Sequence, residues 1–238
     1  MNLLKSKYDY KNLSRDDTTG KRLYACPDGS RVPSVTTILD RTKPEEAKQA
    51  LKEWRDRVGH VQAQAITTEA AARGTRMHTF LESYIKGDGI KDSVSNPYAQ
   101  QSLLMAKKVI AEGFHNIDEI WGNEVQLYYP GIYAGTTDCV GVHNGESCIL
   151  DFKQSNKPKK QEWITDYYLQ ITAYALAHNA LYGTNINKGV IMMCVRPPEI
   201  APGQWGDPVY QEFVLESKDF DYWSHRWLDR VELYYTSL

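Results

Sequence analysis

The sequence lacks the features that mark membrane and exported proteins. The longest apolar stretch near a predicted strand runs from Val190 to Val195, far short of the roughly 20 residues that span a bilayer. The N-terminal stretch MNLLKSKYDYKNLSRDD contains early acids and no continuous apolar core, so it resembles neither a secretory signal nor a mitochondrial presequence. We therefore expect no membrane segment, no signal or transit peptide, and a cytoplasmic setting.

Paired cysteine motifs are also absent. The sequence has 4 cysteines with no CxxC spacing among them, which argues against a zinc site or an iron–sulfur cluster. Isolated cysteines of this kind are typical of buried, reduced thiols. We predict this state, and no iron–sulfur cluster, for Cys26, Cys139, Cys148 and Cys194.

The charge balance is close to neutral, with 28 basic and 30 acidic residues and a net charge of −2. This balance argues against a protein that coats nucleic acid without specificity, although it is compatible with a local basic track. The sequence also contains no internal repeat and no low-complexity tract. With 238 residues, of which 42% are hydrophobic, the chain is typical of a globular protein with a substantial core.

Periodicity and capping signals predict a mixture of helices and strands. A loose polar arm over residues 1–20 precedes a small hairpin, with strands over residues 21–26 and 30–32 around Pro27-Asp28-Gly29. Helices are predicted over residues 34–39, 44–57, 68–86, 98–112, 162–182 and 218–235, and strands over residues 119–129, 135–143, 146–153, 190–196 and 209–215. This order predicts an α/β (α+β) fold with a central mixed β-sheet flanked by helices.

The predicted elements divide the chain into two parts. Residues 1–32 form the arm and the small hairpin, and residues 33–238 form one domain. Within that domain, residues 33–115 are helical, and residues 116–238 contain the sheet with its helices.

A second hairpin is predicted at Asn144-Gly145, which lies between two stretches of β-type residues. Asn-Gly favours a two-residue type I′ turn, and such a turn sets the pairing of the strands on either side. In this register Asp138 lies opposite Asp151, and Thr136 lies opposite Lys153. Because side chains alternate along a strand, Lys153 shares a face with Asp151. Directly opposed partners have Cβ atoms roughly 4.5–5.5 Å apart.

The opposed carboxylates of Asp138 and Asp151 repel each other unless a cation lies between them. Mg²⁺ and Mn²⁺ prefer such hard oxygen ligands on rigid elements. Lys153 is able to orient a water molecule and to offset the charge of a phosphate, so the group indicates phosphodiester cleavage with Mg²⁺ or Mn²⁺ as cofactor. Taken alone, D-x-K is also typical of a solvated strand surface, and the opposed Asp138 argues against that interpretation.

Asp138 followed by Asp151-Phe152-Lys153 resembles the motif of the PD-(D/E)XK nuclease superfamily. Further motifs resemble its RecB-like exonuclease branch, in particular the mitochondrial and phage members. They are Pro33-Ser34-Val35-Thr36, Gly74-Thr75-Arg76-Met77-His78, Phe80-Leu81-Glu82-Ser83-Tyr84, Glu124, and Gln170 with Tyr174. The resemblance implies a restriction-endonuclease-like core with an N-terminal helical region. If the chain is encoded by a phage, its setting would be the cytoplasm of the bacterial host.

The resemblance also implies a set of metal ligands. His78 and Asp151 would bind the metal, Asp138 would be a shared or bridging ligand, and the backbone carbonyl of Phe152 would complete the set. A histidine on the apolar stripe of a helix is, however, also compatible with ordinary core packing. Gly74, one turn before His78, permits the helix to approach the sheet closely, which favours the ligand interpretation.

The remaining matching residues would assist the reaction. By the same resemblance, Lys153 would position the attacking water, and Glu124 would be an outer ligand or a base that holds water. Gln170 and Tyr174 would orient the site or contact the DNA. Because these two residues are four apart on one helix face, ordinary packing is an open alternative for them, as a solvated strand position is for Glu124.

A basic and aromatic segment follows the D-x-K motif. Lysines bind phosphates and aromatic rings stack on unpaired bases, a combination that is typical of proteins that bind single strands. The candidate DNA-binding residues are Arg73, Arg76, Lys157, Lys159, Lys160, Trp163 and Tyr167, with Lys48, Lys52, Arg55 and Arg57 as a candidate second wall. The alternative for any of these residues is a solvated face or, for the tyrosines, the core.

The leading prediction is a metal-dependent DNA exonuclease that prefers single-stranded ends and acts in DNA replication, recombination or degradation. Three alternatives stay open: a catalytically weak DNA-binding or scaffold module of the same fold, a structure-specific endonuclease, and a metal hydrolase of small molecules. CRISPR-associated nucleases of the same superfamily carry a four-cysteine iron–sulfur site, and the scattered cysteines argue against that relationship.

Overall fold

The computed structural model of the protein describes residues 3–16 and 23–237. Three short strands, β1 (Ser14–Asp16), β2 (Leu23–Ala25) and β3 (Arg31–Pro33), precede four helices, α1 (Val35–Arg41), α2 (Glu45–Val58), α3 (His60–Lys86) and α4 (Pro97–Gly113). The remaining elements are β4 (Ile117–Tyr129), β5 (Tyr133–His143), β6 (Glu146–Ser155), α5 (Thr165–Tyr182), β7 (Gly189–Val195), β8 (Glu199–Ala201), β9 (Gln204–Trp205), β10 (Val209–Leu215) and α6 (Phe220–Thr236).

The central sheet has five strands in the order β10-β7-β6-β5-β4. Strands β6 and β7 are parallel and are connected through helix α5, whereas the other neighbours are antiparallel. Helices lie on both faces of this sheet, which confirms the predicted α+β class with a central mixed sheet. The smaller sheet of β1, β2 and β3 contains the predicted N-terminal hairpin, whose first two residues lie outside the described part of the chain.

The two faces of the sheet pack against different helices, because successive side chains of a strand point to opposite faces. Val140 and Ile149 face a core that includes residues of α1, α5 and α6. Cys139 and Leu150 face a second core that includes residues of α3 and α4. All four cysteines are buried and free, as predicted. The sheet therefore has α3 on one face and α5 on the other, and the candidate site uses both helices.

Local signals predicted several helix ends correctly. The Ser34 side chain accepts a hydrogen bond from the Thr37 backbone N–H and so caps α1. Asn96 accepts hydrogen bonds from the first backbone N–H groups of α4, and Gly183 ends α5 in the left-handed conformation. The small hairpin of β8 and β9 was not predicted, although Gly203 in its turn has a positive φ of 72°.

The predicted start of α3 at Thr68 is wrong, because the helix begins at His60. Gly59, with a φ of 89°, separates α2 from α3. Of residues 60–67, only Ala63 is buried. This first part of the helix therefore has no apolar stripe that periodicity could detect.

The prediction of a loose N-terminal arm is wrong for residues 3–16, and the rest of the arm lies outside the described residues. The Lys5 backbone N–H donates to the Ile120 carbonyl at 2.7 Å, and the Ile120 N–H donates to the Leu3 carbonyl at 2.8 Å. Leu3 and Leu13 are buried. The arm covers part of β4, which is an edge strand of the central sheet, and so satisfies backbone groups that would otherwise be open.

In the part of the chain that the structure describes, no helix is long and apolar enough to cross a membrane.

Candidate active site

The β5–β6 hairpin confirms the predicted turn and register over its first five residue pairs. Asn144 and Gly145 have φ angles of 49° and 79°, and the pairing runs from His143↔Glu146 to Cys139↔Leu150. The next pair in the same register would be Asp138 and Asp151, but the pairing stops before it.

Beyond this point the two strands pair with other neighbours. Strand β5 continues along β4, where Thr136 pairs with Gln126, and β6 continues along β7, where Lys153 pairs with Met193. The predicted direct pairs of Asp138 with Asp151 and of Thr136 with Lys153 are therefore wrong. The physical reason is local: Asp138 Oδ2 accepts a hydrogen bond of 2.5 Å from the Phe152 backbone N–H, so a side chain replaces the backbone partner.

The Asp138 carboxylate also contacts α3. Its Oδ1 lies 3.2 Å from His78 Nδ1, and the Asp138 side chain is only 13% exposed. Burial raises the pKa of Asp138. Three neighbours lower it by a larger amount: His78 through its hydrogen bond and charge, Lys153 through its charge, and Phe152 through its backbone N–H. The net pKa of Asp138 therefore lies below the usual value. Conversely, burial lowers the pKa of His78, and Asp138 outweighs that effect and raises it.

Two features of the chain bring His78 to the sheet. Met77, Leu81 and Ile85 form the buried stripe of α3, and His78 lies at the edge of this stripe, where it is partly exposed. Gly74, one turn earlier, lies close to β6: a Cβ atom at this position would be 3.3 Å from Gln154 Cγ. The absence of a side chain at Gly74 therefore permits the close approach that the sequence predicts.

Glu124 reaches the same place from β4. It lies between the pairs Asn123↔Cys139 and Val125↔Thr137, and its backbone has a φ of 54°. This left-handed conformation is uncommon for a residue with a long side chain and costs about 1–3 kcal/mol. The strand thus carries local strain at the residue that is opposite Asp138.

His78, Glu124 and Asp138 each present a ligand atom, and these atoms all lie within 4.8 Å of one another. They line a cleft of about 300 Å³ together with Glu82 and Gly74. One imidazole nitrogen and two carboxylates form a donor set that suits Mn²⁺ or Mg²⁺. Desolvation, followed by the charges of Asp138 and Glu82, raises the pKa of Glu124 to about 7, so carboxylate charge accumulates at this place and a cation would offset it.

Asp151 is not part of that trio. It is 2% exposed and forms an ion pair with Lys153, with 2.5 Å between Oδ2 and Nζ. Burial raises the pKa of Asp151, Lys153 lowers it, and Asp138 raises it. The net pKa is about 6, above the usual 3.8. Burial lowers the pKa of Lys153, whereas Asp151 and Asp138 raise it more strongly, so the lysine is charged. The predicted ligation by Asp151 and by the Phe152 carbonyl stays a prediction.

Gln170 and Tyr174 of α5 lie on the other side of β5. Gln170 Nε2 donates to Tyr174 Oη at 3.4 Å, and Tyr174 is buried. Its ring lies directly against Gly135 of β5, where a Cβ atom would be only 2.9 Å from ring atoms. The pair therefore fixes α5 on the sheet near Asp151, which acts on the Tyr174 hydroxyl electrostatically. A role of this pair in orienting the site stays a prediction.

The assignment of Arg73 to DNA binding needs correction, because its side chain is 0% exposed. Its guanidinium donates to Gln154 Oε1 through Nε at 3.0 Å and through Nη2 at 2.8 Å. It also donates to Asn156 and, at 2.9 Å, to Glu69. Arg73 is therefore a buried clamp between α3 and the end of β6, and it has no surface to offer to a phosphate.

Arg76 points to a different neighbour. Its Nε donates to Ser102 Oγ of α4 at 3.3 Å, and the residue is half-buried. Residues two apart on a helix project about 200° apart, so Arg76 and His78 lie on different sides of α3. The contact with Ser102 places Arg76 beside α4, away from the trio.

The other candidate DNA-binding residues surround two clefts that meet at Tyr167. We name the first the basic cleft; it has a volume of about 560 Å³ and includes Lys157, Lys159, Arg196, Trp54 and Tyr167. Trp54 belongs to α2, so this helix forms one wall, and the predicted basic residues of α2 are exposed. Trp54 and Arg196 were not predicted, because they are distant along the chain from the motifs.

We name the second cleft the neutral cleft; it has a volume of about 370 Å³ and is lined by Leu39, Ile164, Trp163, Tyr167, Asp40, Lys43, Asp166, Gln170 and Thr36. The Lys153 Nζ lies 5.2 Å from the centre of the Tyr167 ring, so both clefts adjoin the Asp151–Lys153 pair. Lys160 lies 5.3 Å from the Trp163 ring. The structure thus brings four predicted residues together, Lys157, Lys159, Trp163 and Tyr167.

The fold and the site define a mixed sheet that bears an acid-rich candidate metal centre. No protein-family model matches the sequence. Among curated proteins, the chain is 28% identical over 212 residues to mitochondrial genome maintenance exonuclease 1 of Mus musculus. It is 27% identical over 215 residues to the protein of that name from Homo sapiens.

These alignments cover 85% of this chain, but only 59% and 58% of the two relatives, so the chain spans less than two thirds of their length. Among solved structures, "Crystal structure of SSO0001" matches with 15% identity over 83% of this chain and 75% of that one. Its TM-score of 0.35 is too low to establish a common fold.

Proposed function

We propose that the protein is a metal-dependent deoxyribonuclease, an exonuclease that hydrolyses phosphodiester bonds and prefers single-stranded DNA ends. The observation that carries this proposal is the trio of His78, Glu124 and Asp138 within 4.8 Å, beside the buried Asp151–Lys153 pair. The similarity to relatives named as genome maintenance exonucleases supports it and indicates a role in DNA replication, recombination or degradation.

In this proposal, His78, Glu124 and Asp138 hold Mg²⁺ or Mn²⁺, and Asp151 with the Phe152 carbonyl joins them. When bound, the cation would neutralise charge on the scissile phosphate and lower the pKa of a water molecule. In the metal-free protein the pKa of Glu124 is raised to about 7, partly by the charges of Asp138 and Glu82, and a bound cation would offset this negative charge.

Lys153 acts through its charge. Asp151 and Asp138 raise its pKa, so its Nζ carries three donor hydrogens at neutral pH. One of these is directed to Asp151, 2.5 Å away, and the others are available to orient a water molecule and a phosphate oxygen. The lysine is partly exposed, at 19% of its side chain, so a substrate is able to reach it.

The clefts favour nucleic acid over a small molecule as substrate. The basic cleft carries Lys157, Lys159 and Arg196, which suit several phosphates of one strand. The neutral cleft presents exposed Trp163 and half-buried Tyr167, which suit unpaired bases. Lys153 lies beside Tyr167, which lines both of these clefts, whereas a hydrolase of small molecules would need a closed pocket around the lysine.

A digestion experiment tests the proposal. Purified protein with Mg²⁺ or Mn²⁺ should degrade linear single-stranded DNA faster than linear duplex DNA, and it should leave circular single strands intact. Chelation by EDTA should stop the reaction. Substrates labelled at the 5′ or the 3′ end report the polarity, and cleavage of circles would indicate an endonuclease instead.

Two variants separate a catalyst from a DNA-binding module. Asp138→Asn should lose cleavage and Mn²⁺ affinity, because it removes a charged ligand from the trio. Glu146→Gln, at the turn end of the same hairpin, should cleave like the wild type. If the wild type binds DNA but does not cleave it with either metal, the protein is a binding module and the proposed chemistry is wrong.

A further inference from the structure

The two clefts that meet at Tyr167 differ in charge. In the basic cleft, Lys157, Lys159 and Arg196 face a single carboxylate, Glu69, which lies 2.9 Å from Arg73 Nη1. This cleft therefore has a surplus of positive charge, as a phosphate-binding surface requires.

In the neutral cleft the charges are already compensated. Lys43 forms an ion pair with Asp40 at 3.2 Å, and Asp166 forms one with Arg230 at 3.3 Å. Lys160, beside the Trp163 ring, lies 3.8 Å from Glu162, so the charges at this cleft are paired and the occupant that fits it is neutral.

The shape of the neutral cleft indicates a flat, partly apolar occupant. Leu39 and Ile164 are buried and provide an apolar floor. Trp163 is an aromatic side wall that is 59% exposed, so a ligand is able to cover it. Thr36 and Gln170 add polar groups at the rim. A nucleobase has a stacking face and a polar edge, and the volume of about 370 Å³ lies in the range of small-molecule sites.

We propose that the neutral cleft binds one unpaired nucleobase next to the scissile phosphate, while the basic cleft binds the phosphates on the other side of it. Tyr167 separates the two clefts and lies beside Lys153, so the strand would cross Tyr167 at the reacting position. This inference rests on the proposed nuclease function and adds the position of a base. It also explains a preference for single strands, because a paired base is stacked inside the duplex and cannot enter the cleft.

The test combines a protein change with a DNA change. Binding is measured in EDTA, which prevents cleavage, with fluorescently labelled single-stranded oligonucleotides that carry one abasic site at successive positions from the end. In the wild type, an abasic site at one particular position should weaken binding about tenfold, because the base that stacks in the neutral cleft is lost. Trp163→Ala should weaken binding of intact DNA about tenfold, and the abasic site at that position should add little to the loss.

Matched controls identify the source of each effect. Tyr222→Ala removes an aromatic side chain of α6 that is similarly exposed, at 57%, and it should leave binding and the abasic profile unchanged. Lys157→Ala should weaken binding of all oligonucleotides equally and should keep the same sensitive position. Tyr167→Phe should keep that position as well, because the ring is retained.

The outcomes distinguish this inference from the proposed function. The base-binding cleft would be overturned if the abasic site and Trp163→Ala lower the binding affinity independently of each other. It would also be overturned if no position of the abasic site weakens binding. If that result accompanies normal metal-dependent cleavage, the proposed function stands. If the wild type neither binds nor cleaves DNA, both proposals fail.

Discussion

Each end of the β5–β6 hairpin has a lysine beside a carboxylate, but the backbone pairing of the two strands is complete only at the turn end. At the turn end, the backbone pairing is complete as far as His143↔Glu146, and buried Lys188 donates to the His143 carbonyl at 3.1 Å and to Glu146 at 3.2 Å. At the open end, the pairing stops after Cys139↔Leu150, and partly exposed Lys153 faces buried Asp151.

The pKa shifts of the carboxylates also differ between the two ends. At the turn end, His143 lowers the pKa of Glu212, so this carboxylate is more stable as an ion in the folded protein. At the open end, the pKa values of Glu124 and Asp151 are raised to about 7 and about 6. Ionised Glu212 therefore stabilises the turn end. At the open end, ionised Glu124 and Asp151 cost stability, and the lowered pKa of Asp138 offsets part of that cost.

The largest expected effect concerns the lysines at the two ends, Lys153 and Lys188. Lys153→Met should lower the single-turnover cleavage rate about 10³-fold, or by about 4 kcal/mol of transition-state stabilisation, because the group that orients water and phosphate is lost. Lys188→Met should keep the cleavage rate and lower the free energy of unfolding by about 2 kcal/mol, because the carbonyl of buried His143 loses its donor.

Rapid-quench assays in saturating Mn²⁺ and thermal unfolding measure the two effects on both proteins. Equal losses of cleavage in the two variants would show that the open end has no special role.

The next effect concerns how the open end is held without backbone pairing. Arg73→Met should lower the free energy of unfolding by about 3 kcal/mol, because Glu69, Gln154 and Asn156 lose the buried guanidinium that joins α3 to the end of β6. It should also weaken Mn²⁺ binding, because α3 carries His78. Urea unfolding and calorimetry with Mn²⁺ measure the two quantities, and Arg76→Met, which removes only a contact with α4, is the control. Unchanged Mn²⁺ affinity in Arg73→Met would mean that the clamp does not position the site.

The opposite pKa shifts predict opposite pH dependences for the metal-free protein. The folded-state pKa of Asp151 is raised from 3.8 to about 6, so the folded state holds this proton more tightly and stability decreases as the pH rises through this window. The stability of Asp151→Asn relative to the wild type should therefore increase by about 2 kcal/mol between pH 4 and pH 7 in EDTA.

Glu212→Gln at the turn end should show the reverse sign. The lowered pKa of Glu212 contributes stability above the pKa of the unfolded chain, and this contribution is lost as the pH falls through the lowered value. Unfolding curves at a series of pH values test both variants, and slopes of the same sign would contradict the contrast between the two ends.

The smallest effect concerns backbone strain. Among residues 3–16 and 23–237, the non-glycine residues with positive φ are Glu124, at 54°, and Asn144, at 49°. Asparagine tolerates this conformation and glutamate does not, so Glu124→Gly should raise the free energy of unfolding by about 1 kcal/mol in EDTA, and Asn144→Gly by only about 0.3 kcal/mol. Thermal unfolding tests this order, and Glu124→Gly should also bind Mn²⁺ more weakly. Equal gains in the two variants would refute strain at Glu124.

Much of the fold could be predicted from local sequence signals. Asn144-Gly145 predicted the turn and five correct residue pairs, and Ser34 and Asn96 predicted helix starts, because each signal acts within a few residues. The prediction failed at Asp138, where a side-chain hydrogen bond to Phe152 replaces the backbone ladder. It also failed at Arg73, where charge suggested a phosphate contact and burial between two elements decided otherwise.

The clefts could not be predicted, because their walls come from distant parts of the chain. Trp54 of α2 and Arg196 after β7 meet the predicted residues Lys157, Lys159 and Tyr167 in the basic cleft, and no motif marks Trp54 or Arg196 in the sequence. For Glu82 a signal was available: it follows His78 by one helical turn, and both line the cleft of the trio.

The sequence by itself determined the turn register, the alternation that separates the two cores, and the residue types of the candidate metal centre. Only the tertiary structure decided that β5 and β6 separate beside Asp138, that Glu124 joins His78 in a strained conformation, and that Arg73 is buried. The physical reason is the range of the interactions involved. Turns, caps and strand alternation depend on neighbours along the chain, whereas desolvation, ion pairing and close approach depend on which elements the fold brings together.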